Sequence, residues 1–249
     1  MLHHHTIDQL KTLKLHGMAQ SLEEQLAAPN INQLSFEERI GMLTDREVSF
    51  RDNKRLGRLI AHAKLKHAAC VEDIDYSAER QLDKKQIAGL SSCQWINKGY
   101  NLLITGATGC GKTWLACALG NQACRIGLSV SYLRMTKLCE QLRIAQGDGS
   151  FQMKLTQLAK IHLLIIDDFG LSSPSQIDRN NLLEVVDDRN NKSTIITSQL
   201  PVEHWHSFIG ESTLADAILD RLTSNCYQLN LKGESLRKKK QALTNIEQL

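Results

Sequence analysis

The sequence predicts an α/β protein: a five-stranded parallel sheet covered by helices, preceded by a small all-helical segment. Three observations predict it. Beyond Gly99, five short apolar runs alternate with four helical stretches, the pattern of a parallel sheet whose crossovers are helices. A glycine-rich loop stands at the first strand–helix junction. Only 3 of 249 residues are proline, which suits a helix-rich chain. The predicted organisation is a helical domain over residues 1–95 and an α/β domain over 96–249, joined near Trp95-Ile96-Asn97-Lys98-Gly99.

The elements follow in order. Ile7, Leu10, Leu13, Met18, Leu22 and Leu26 recur at helical steps as far as the breaker Ala28-Pro29-Asn30. Ser35-Phe36-Glu37-Glu38 reads as a capping box that opens a helix running past Arg58. Phe36, Ile40, Leu43, Phe50, Leu56 and Leu59 are its expected apolar face. In the second region strands are expected at Asn101–Thr105, Leu128–Leu133, Ile161–Ile166, Ser193–Thr197 and Tyr227–Leu231. The helices between them run through Ala123, over Thr136–Ala145, over Ser175–Arg189 and around Leu214–Leu222.

Composition excludes several classes. No apolar run approaches the roughly 18 residues a membrane span needs, and the N-terminus lacks a basic segment leading into an apolar one. Seven cysteines without a C-x-x-C pair suit reduced thiols in a cytoplasm better than a disulfide framework. A net charge of +3 excludes a histone-like polycation, so any nucleic-acid surface must gather its charge locally.

Gly106-Ala107-Thr108-Gly109-Cys110-Gly111-Lys112-Thr113 matches G-x-x-x-x-G-K-[ST] between a strand and a helix, where a phosphate-cradling P-loop must sit. Its glycines let backbone amides turn inward around phosphate oxygens, and the following helix N-terminus adds positive potential. Lys112 is expected to reach the β- and γ-phosphates of ATP and Thr113 to hold Mg²⁺. Ile161 to Ile166 leads into Asp167-Asp168. Asp167 is expected in the Mg²⁺ shell, and Asp168 orienting the attacking water. The fourth strand's tip brings Ser198 or Gln199 toward the γ-phosphate.

The order of the P-loop, Ile165-Ile166-Asp167-Asp168-Phe169-Gly170, Thr197-Ser198-Gln199-Leu200-Pro201 and Asp220-Arg221-Leu222 resembles AAA+ ATPases of the DnaC/IstB group. Leu13 to Ala19, Leu200 to His206 and Leu231 to Lys238 resemble the IstB family in particular, the helper ATPases of insertion-sequence transposition. The resemblance implies an ATPase that binds double-stranded DNA, activates a cognate transposase and forms an ATP-dependent homo-oligomer, ring or spiral. It implies Gln199 at the sensor-1 position, Arg221 as an arginine finger given to a neighbour's ATP, and Arg237 at sensor 2. With 12 residues after Arg237, the helical lid of many AAA+ proteins is expected to be absent.

Between Arg46 and Cys70 seven basic residues face two acidic ones. Arg51, Lys54, Arg55 and Arg58 follow helical spacing and form a stripe that can track phosphates, with Lys64 and Lys66 beyond it. Binding to duplex DNA through phosphates, tolerant of sequence and sensitive to salt, is the expectation. Three other functions share parts of this pattern. A DnaC-like replicative helicase loader has the same ATPase core; a small-molecule P-loop kinase would need a lid and no trans arginine; a nucleotide-binding scaffold would hydrolyse slowly because Asp168 is short.

Overall fold

The structure, a computed structural model, describes residues 2–29, 31–76, 82–233 and 235. The chain divides into two compact units, Met1–Arg58 and Leu59–Leu249. The division falls well before residue 96. The described residues between Leu59 and Trp95 belong to the sheet-bearing unit. Their contacts show why: Asn121 Nδ2 donates to the Ala69 carbonyl at 2.8 Å, and Ser193 Oγ donates to the carbonyl of Trp95 at 3.5 Å.

The first unit contains α1 (Leu2–Thr12), α2 (His16–Ala27) and most of α3 (Phe36–Ala63). The capping box at the start of α3 is formed: the Glu38 amide donates to Ser35 Oγ, and the Ser35 amide to Glu38 Oε2 at 2.7 Å. Of the expected apolar face, Leu43, Phe50, Leu56 and Leu59 are partly buried, whereas Phe36 is 73% and Ile40 42% exposed. A polar contact also joins α2 to α3. Glu47 is buried on α3 and accepts the Gly17 and Met18 amides at 2.7 and 3.2 Å, which satisfies two otherwise orphaned donors in the first turn of α2. Only glycine fits at position 17, because a Cβ there would lie 2.6 Å from the Arg46 carbonyl oxygen.

The second unit begins its regular structure with α4 (Lys84–Ser91) and α5 (Gln94–Asn97). It continues β1 (Asn101–Gly106), α6 (Lys112–Arg125), β2 (Val130–Arg134), α7 (Met135–Asp148), α8 (Phe151–Lys160) and β3 (Leu163–Phe169). The remainder is α9 (Gln176–Asp188), β4 (Ser193–Ser198), α10 (Trp205–Ile209), α11 (Ser212–Thr223) and β5 (Cys226–Leu231). The five strands form one parallel sheet in the order β2-β3-β4-β1-β5. The central strands β1, β3 and β4 are buried on both faces, so they read as continuous apolar runs, whereas β5 at the edge is largely exposed. Leu103, Leu164, Ile166 and Ile196 share a core with α7, α8, α9, α10 and α11. Gly120 of α6 lies against Ile165, where a Cβ would approach to 2.9 Å.

Candidate nucleotide site

The strand order places the chemistry. β4 lies between β1 and β3, so the loop after β1 faces the ends of both β4 and β3. In that loop Gly109 and Gly111 adopt φ of 84° and 97°, the left-handed region in which a side chain is strained. A turn of this kind points successive amides inward, a concavity suited to phosphate. Lys112 opens α6 and donates from Nζ to the carbonyls of Gly106 and Ala107 at 2.7 and 2.8 Å. The lysine is thus folded over the loop that it would serve. Beside it, Gly106 lies under the Leu231 carbonyl and Gly109 against the Ser235 side chain, so the end of β5 and the segment after it border the loop.

Asp167 is fully buried near the end of β3. Its Oδ1 accepts from Thr113 Oγ1 at 2.8 Å and from Thr197 Oγ1 at 2.5 Å. Its Oδ2 accepts from the Tyr132 hydroxyl at 2.5 Å and lies 3.9 Å from Lys66 Nζ. Burial, and then this carboxylate, push the Tyr132 hydroxyl above its ordinary range, so it stays a donor. Thr113 and Asp167 present hard oxygen donors side by side at the mouth of the loop. That donor set fits Mg²⁺, which prefers one or two protein oxygens together with phosphates and water.

Asp168 follows directly but belongs to a different conformation. The β3–β4 register shifts between Ile166 and Phe169, and Asp168 has φ of 61°. A bulge re-aims neighbouring side chains that a regular strand would send to opposite faces. The Asp168 amide donates to Thr197 Oγ1 at 3.2 Å, and its half-exposed carboxylate stands 3.7 Å from Arg134 Nε. Of the two polar residues at the tip of β4, Ser198 is buried and bonded to the Phe169 carbonyl at 2.7 Å. Gln199 is the one that meets the loop, with Oε1 accepting from Thr108 Oγ1 at 2.7 Å.

The sequence model of the family described as IstB-like ATP binding protein matches residues 8–244. The chain belongs to that family. An ATP-binding protein named for insertion sequence IS1162 of Pseudomonas fluorescens is 57% identical over 203 residues, covering 81% of this chain and 88% of that protein. The insertion-sequence ATP-binding protein y4pL of Sinorhizobium fredii (strain NBRC 101917 / NGR234) is 46% identical over 239 residues, covering 96% of this chain and 98% of the relative. Among solved structures, the DnaC helicase loader superposes with a TM-score of 0.57 at 20% identity, covering 68% of this chain and all of that one. AMPPCP-bound DnaA from Aquifex aeolicus gives 0.58 at 17% identity, covering 75% and 57%. The IstB-like chain therefore has the AAA+ fold with a helical region before it.

The structure distributes the remaining expected residues of this IstB-like chain unevenly. Arg221 lies in the last turn of α11, and its carbonyl accepts from Asn101 Nδ2 at 3.1 Å at the start of β1. The P-loop leaves the other end of β1, five residues away at about 3.3 Å each. Arg221 Nε pairs with Asp187 Oδ1 at 2.6 Å, on the rim of a polar cavity of about 330 Å³ that Lys98, Arg189 and Lys192 also line. Arg237 lies outside the described residues.

The basic residues also divide. Lys54, Arg55 and Arg58 are exposed along α3, and Arg51 is exposed but pairs with Glu47 at 2.6 Å. Lys64 follows α3 with φ of 51°. Lys66 pairs with Asp167. Sequence reasoning missed Lys66 here, and with it Tyr132, Arg134 and the hydroxyl of Thr197. A single tyrosine on a strand carries no signal until the pairing of β2 with β3 is known.

No helix among the described residues is long and apolar enough to cross a membrane.

Proposed function

We propose that this protein is an ATP- and Mg²⁺-dependent DNA-binding regulator of transposition. In this reading it assembles on duplex target DNA as a homo-oligomer and activates its cognate transposase, and hydrolysis dissolves the assembly. The insertion-sequence names of its relatives support the transposition context. One observation carries the oligomer: the P-loop and Arg221 lie at opposite ends of β1, too far apart to meet on one nucleotide. A finger and a pocket on opposite ends of one subunit join only head to tail, and such contacts repeat into a ring or a spiral.

Within the site each residue has a task. Lys112 exchanges the carbonyls of Gly106 and Ala107 for phosphate oxygens, and Thr113 and Asp167 hold the Mg²⁺. The metal neutralises phosphate charge when bound. Asp168 orients the attacking water, while Gln199, already bonded to Thr108, aligns loop and γ-phosphate. Arg221 meets the charge that develops on a neighbour's transferred phosphoryl group. The stripe Arg51, Lys54, Arg55 and Arg58 tracks DNA phosphates. The test is the size of the protein in solution with a non-hydrolysable ATP analogue, with and without duplex DNA. Oligomers that require both the nucleotide and Lys112 support the reading; a monomer under every condition overturns it.

A further inference from the structure

The residues that follow α3 lie as a strap along one side of the P-loop helix. Leu65 Cδ2 stands 3.0 Å from where a Cβ on Gly120 would be. The Ala69 carbonyl takes the Asn121 amide at 2.8 Å. Farther on, Arg125 reaches Cys70 Sγ at 3.3 Å and Glu72 at 2.6 Å. The Cys117 thiol is pushed up by burial, against hydrogen bonds from the backbone of His67 and Lys66. Cys117, Asn121 and Arg125 are four residues apart and Gly120 lies three after Cys117, so the strap follows a single helix face for more than two turns.

This seating fixes where Lys66 can go. Its side chain, 27% exposed, runs to Asp167, which is fully buried. Among the described residues Lys66 is the one cation paired with that carboxylate, whose other partners are the hydroxyls of Tyr132, Thr113 and Thr197. A buried carboxylate without a counter-ion is costly, and an ammonium nearby offsets the cost. A divalent cation on the same carboxylate would do the same and would repel the ammonium.

We infer that Lys66 is the resident counter-ion of Asp167 and that it gives way when Mg²⁺ is loaded with nucleotide. Metal binding at Asp167 is then coupled to the strap, and through three residues of chain to the end of α3 at Ala63. The strap is a positioning element: Lys66 acts through Asp167 and sets how much Mg²⁺ the site requires. The inference rests on the proposed Mg²⁺ role of Thr113 and Asp167.

The experiment measures binding of a fluorescent, non-hydrolysable ATP analogue to the full chain as Mg²⁺ is raised, for the unmodified protein and for Lys66→Met, with Lys66→Arg as the charge-retaining control. In Lys66→Met the Mg²⁺ midpoint is expected to fall by about three- to tenfold, while Lys66→Arg stays near the unmodified value. A midpoint that is unchanged or higher in Lys66→Met overturns the inference. Acylation of lysines in the unmodified protein, read by mass spectrometry, gives an arm that needs no variant. Lys66 should react faster with ATP analogue and Mg²⁺ than with ATP analogue and chelator, and equal or slower reaction overturns the exchange. If analogue binding to the unmodified protein ignores Mg²⁺ altogether, the metal reading of Asp167 fails first, and the inference with it.

Discussion

The Tyr132 hydroxyl donates to Asp167 Oδ2 at 2.5 Å from the adjacent strand β2, where Tyr132 pairs with Ile165. The contact holds the carboxylate so that Oδ1 remains turned toward Thr113 and Thr197. Removing the hydroxyl leaves a buried acceptor short of one donor. Tyr132→Phe is expected to cost about 1 kcal/mol of stability. Because partners of metal-holding residues tune the metal, its Mg²⁺ requirement for nucleotide binding should rise on the order of tenfold. Thermal unfolding and Mg²⁺ titrations check the two effects. Lost stability with an unaltered Mg²⁺ requirement would make Tyr132 a packing residue only.

Glu47 gives the first unit a defined response to acid. Burial alone would raise its carboxyl, but Arg51 and the amides of Met18 and Gly17 outweigh burial and hold it below its ordinary range. A carboxyl whose pKa is lowered by folding contributes stability that is complete above its ordinary pKa, and loses it as pH falls through the folded value. The contact between α2 and α3 should therefore weaken from about pH 4.5 downward. Glu47→Gln should remove that acid dependence and cost about 1–3 kcal/mol at neutral pH. Hydrogen exchange at the Gly17 and Met18 amides, followed against pH, reads this contact directly.

The basic residues make separable contributions to DNA affinity if they work as proposed. Each phosphate neutralised on a duplex contributes about −0.9 to the slope of log affinity against log salt. Lys54→Ala and Arg58→Ala should each flatten that slope by about this amount and weaken binding to any sequence alike. Without nucleotide and Mg²⁺, Lys66→Met should leave the slope unchanged, since its ammonium is then paired with Asp167. Equal losses from all three substitutions would mean that Lys66 leaves the nucleotide site to contact DNA.

Much of this arrangement is legible in the sequence because parallel strands buried on both faces leave continuous apolar runs. All five strands stand where those runs predict them, and the P-loop and Asp167 lie at the ends that the runs define. What is not legible depends on pairing between distant segments. α8, over Phe151–Lys160, follows α7 after a break at Gly149 and stands outside the expected helices although it is strongly amphipathic and buries Leu155 and Leu158. Phe36 and Ile40 are exposed at the start of a face that is partly buried from Leu43 onward, and α3 also meets α2 through Gly17 and Glu47, a polar contact that no apolar count detects. The spacing of Lys66 fits a helical stripe, but α3 ends at Ala63 and the left-handed turn at Lys64 sends the chain onto α6.

Arg221 offers the most decisive test of assembly. In the isolated chain its guanidinium pairs with Asp187, with both groups partly exposed, so the pair adds little stability and can be exchanged. Arg221→Ala should therefore leave folding and nucleotide binding intact while abolishing the proposed ATP hydrolysis, and Arg221→Lys should not restore it, because a lysine lacks the planar fork. Lys112→Ala should be inactive for the opposite reason, an intact finger beside a defective P-loop. Mixed in equal amounts, the two inactive proteins should regain activity wherever the P-loop of one meets the finger of the other. In a head-to-tail assembly that is about a quarter of the interfaces, which sets the expected recovery. No recovery, in a mixture shown by sizing to co-assemble, would mean that Arg221 does not act across the subunit boundary.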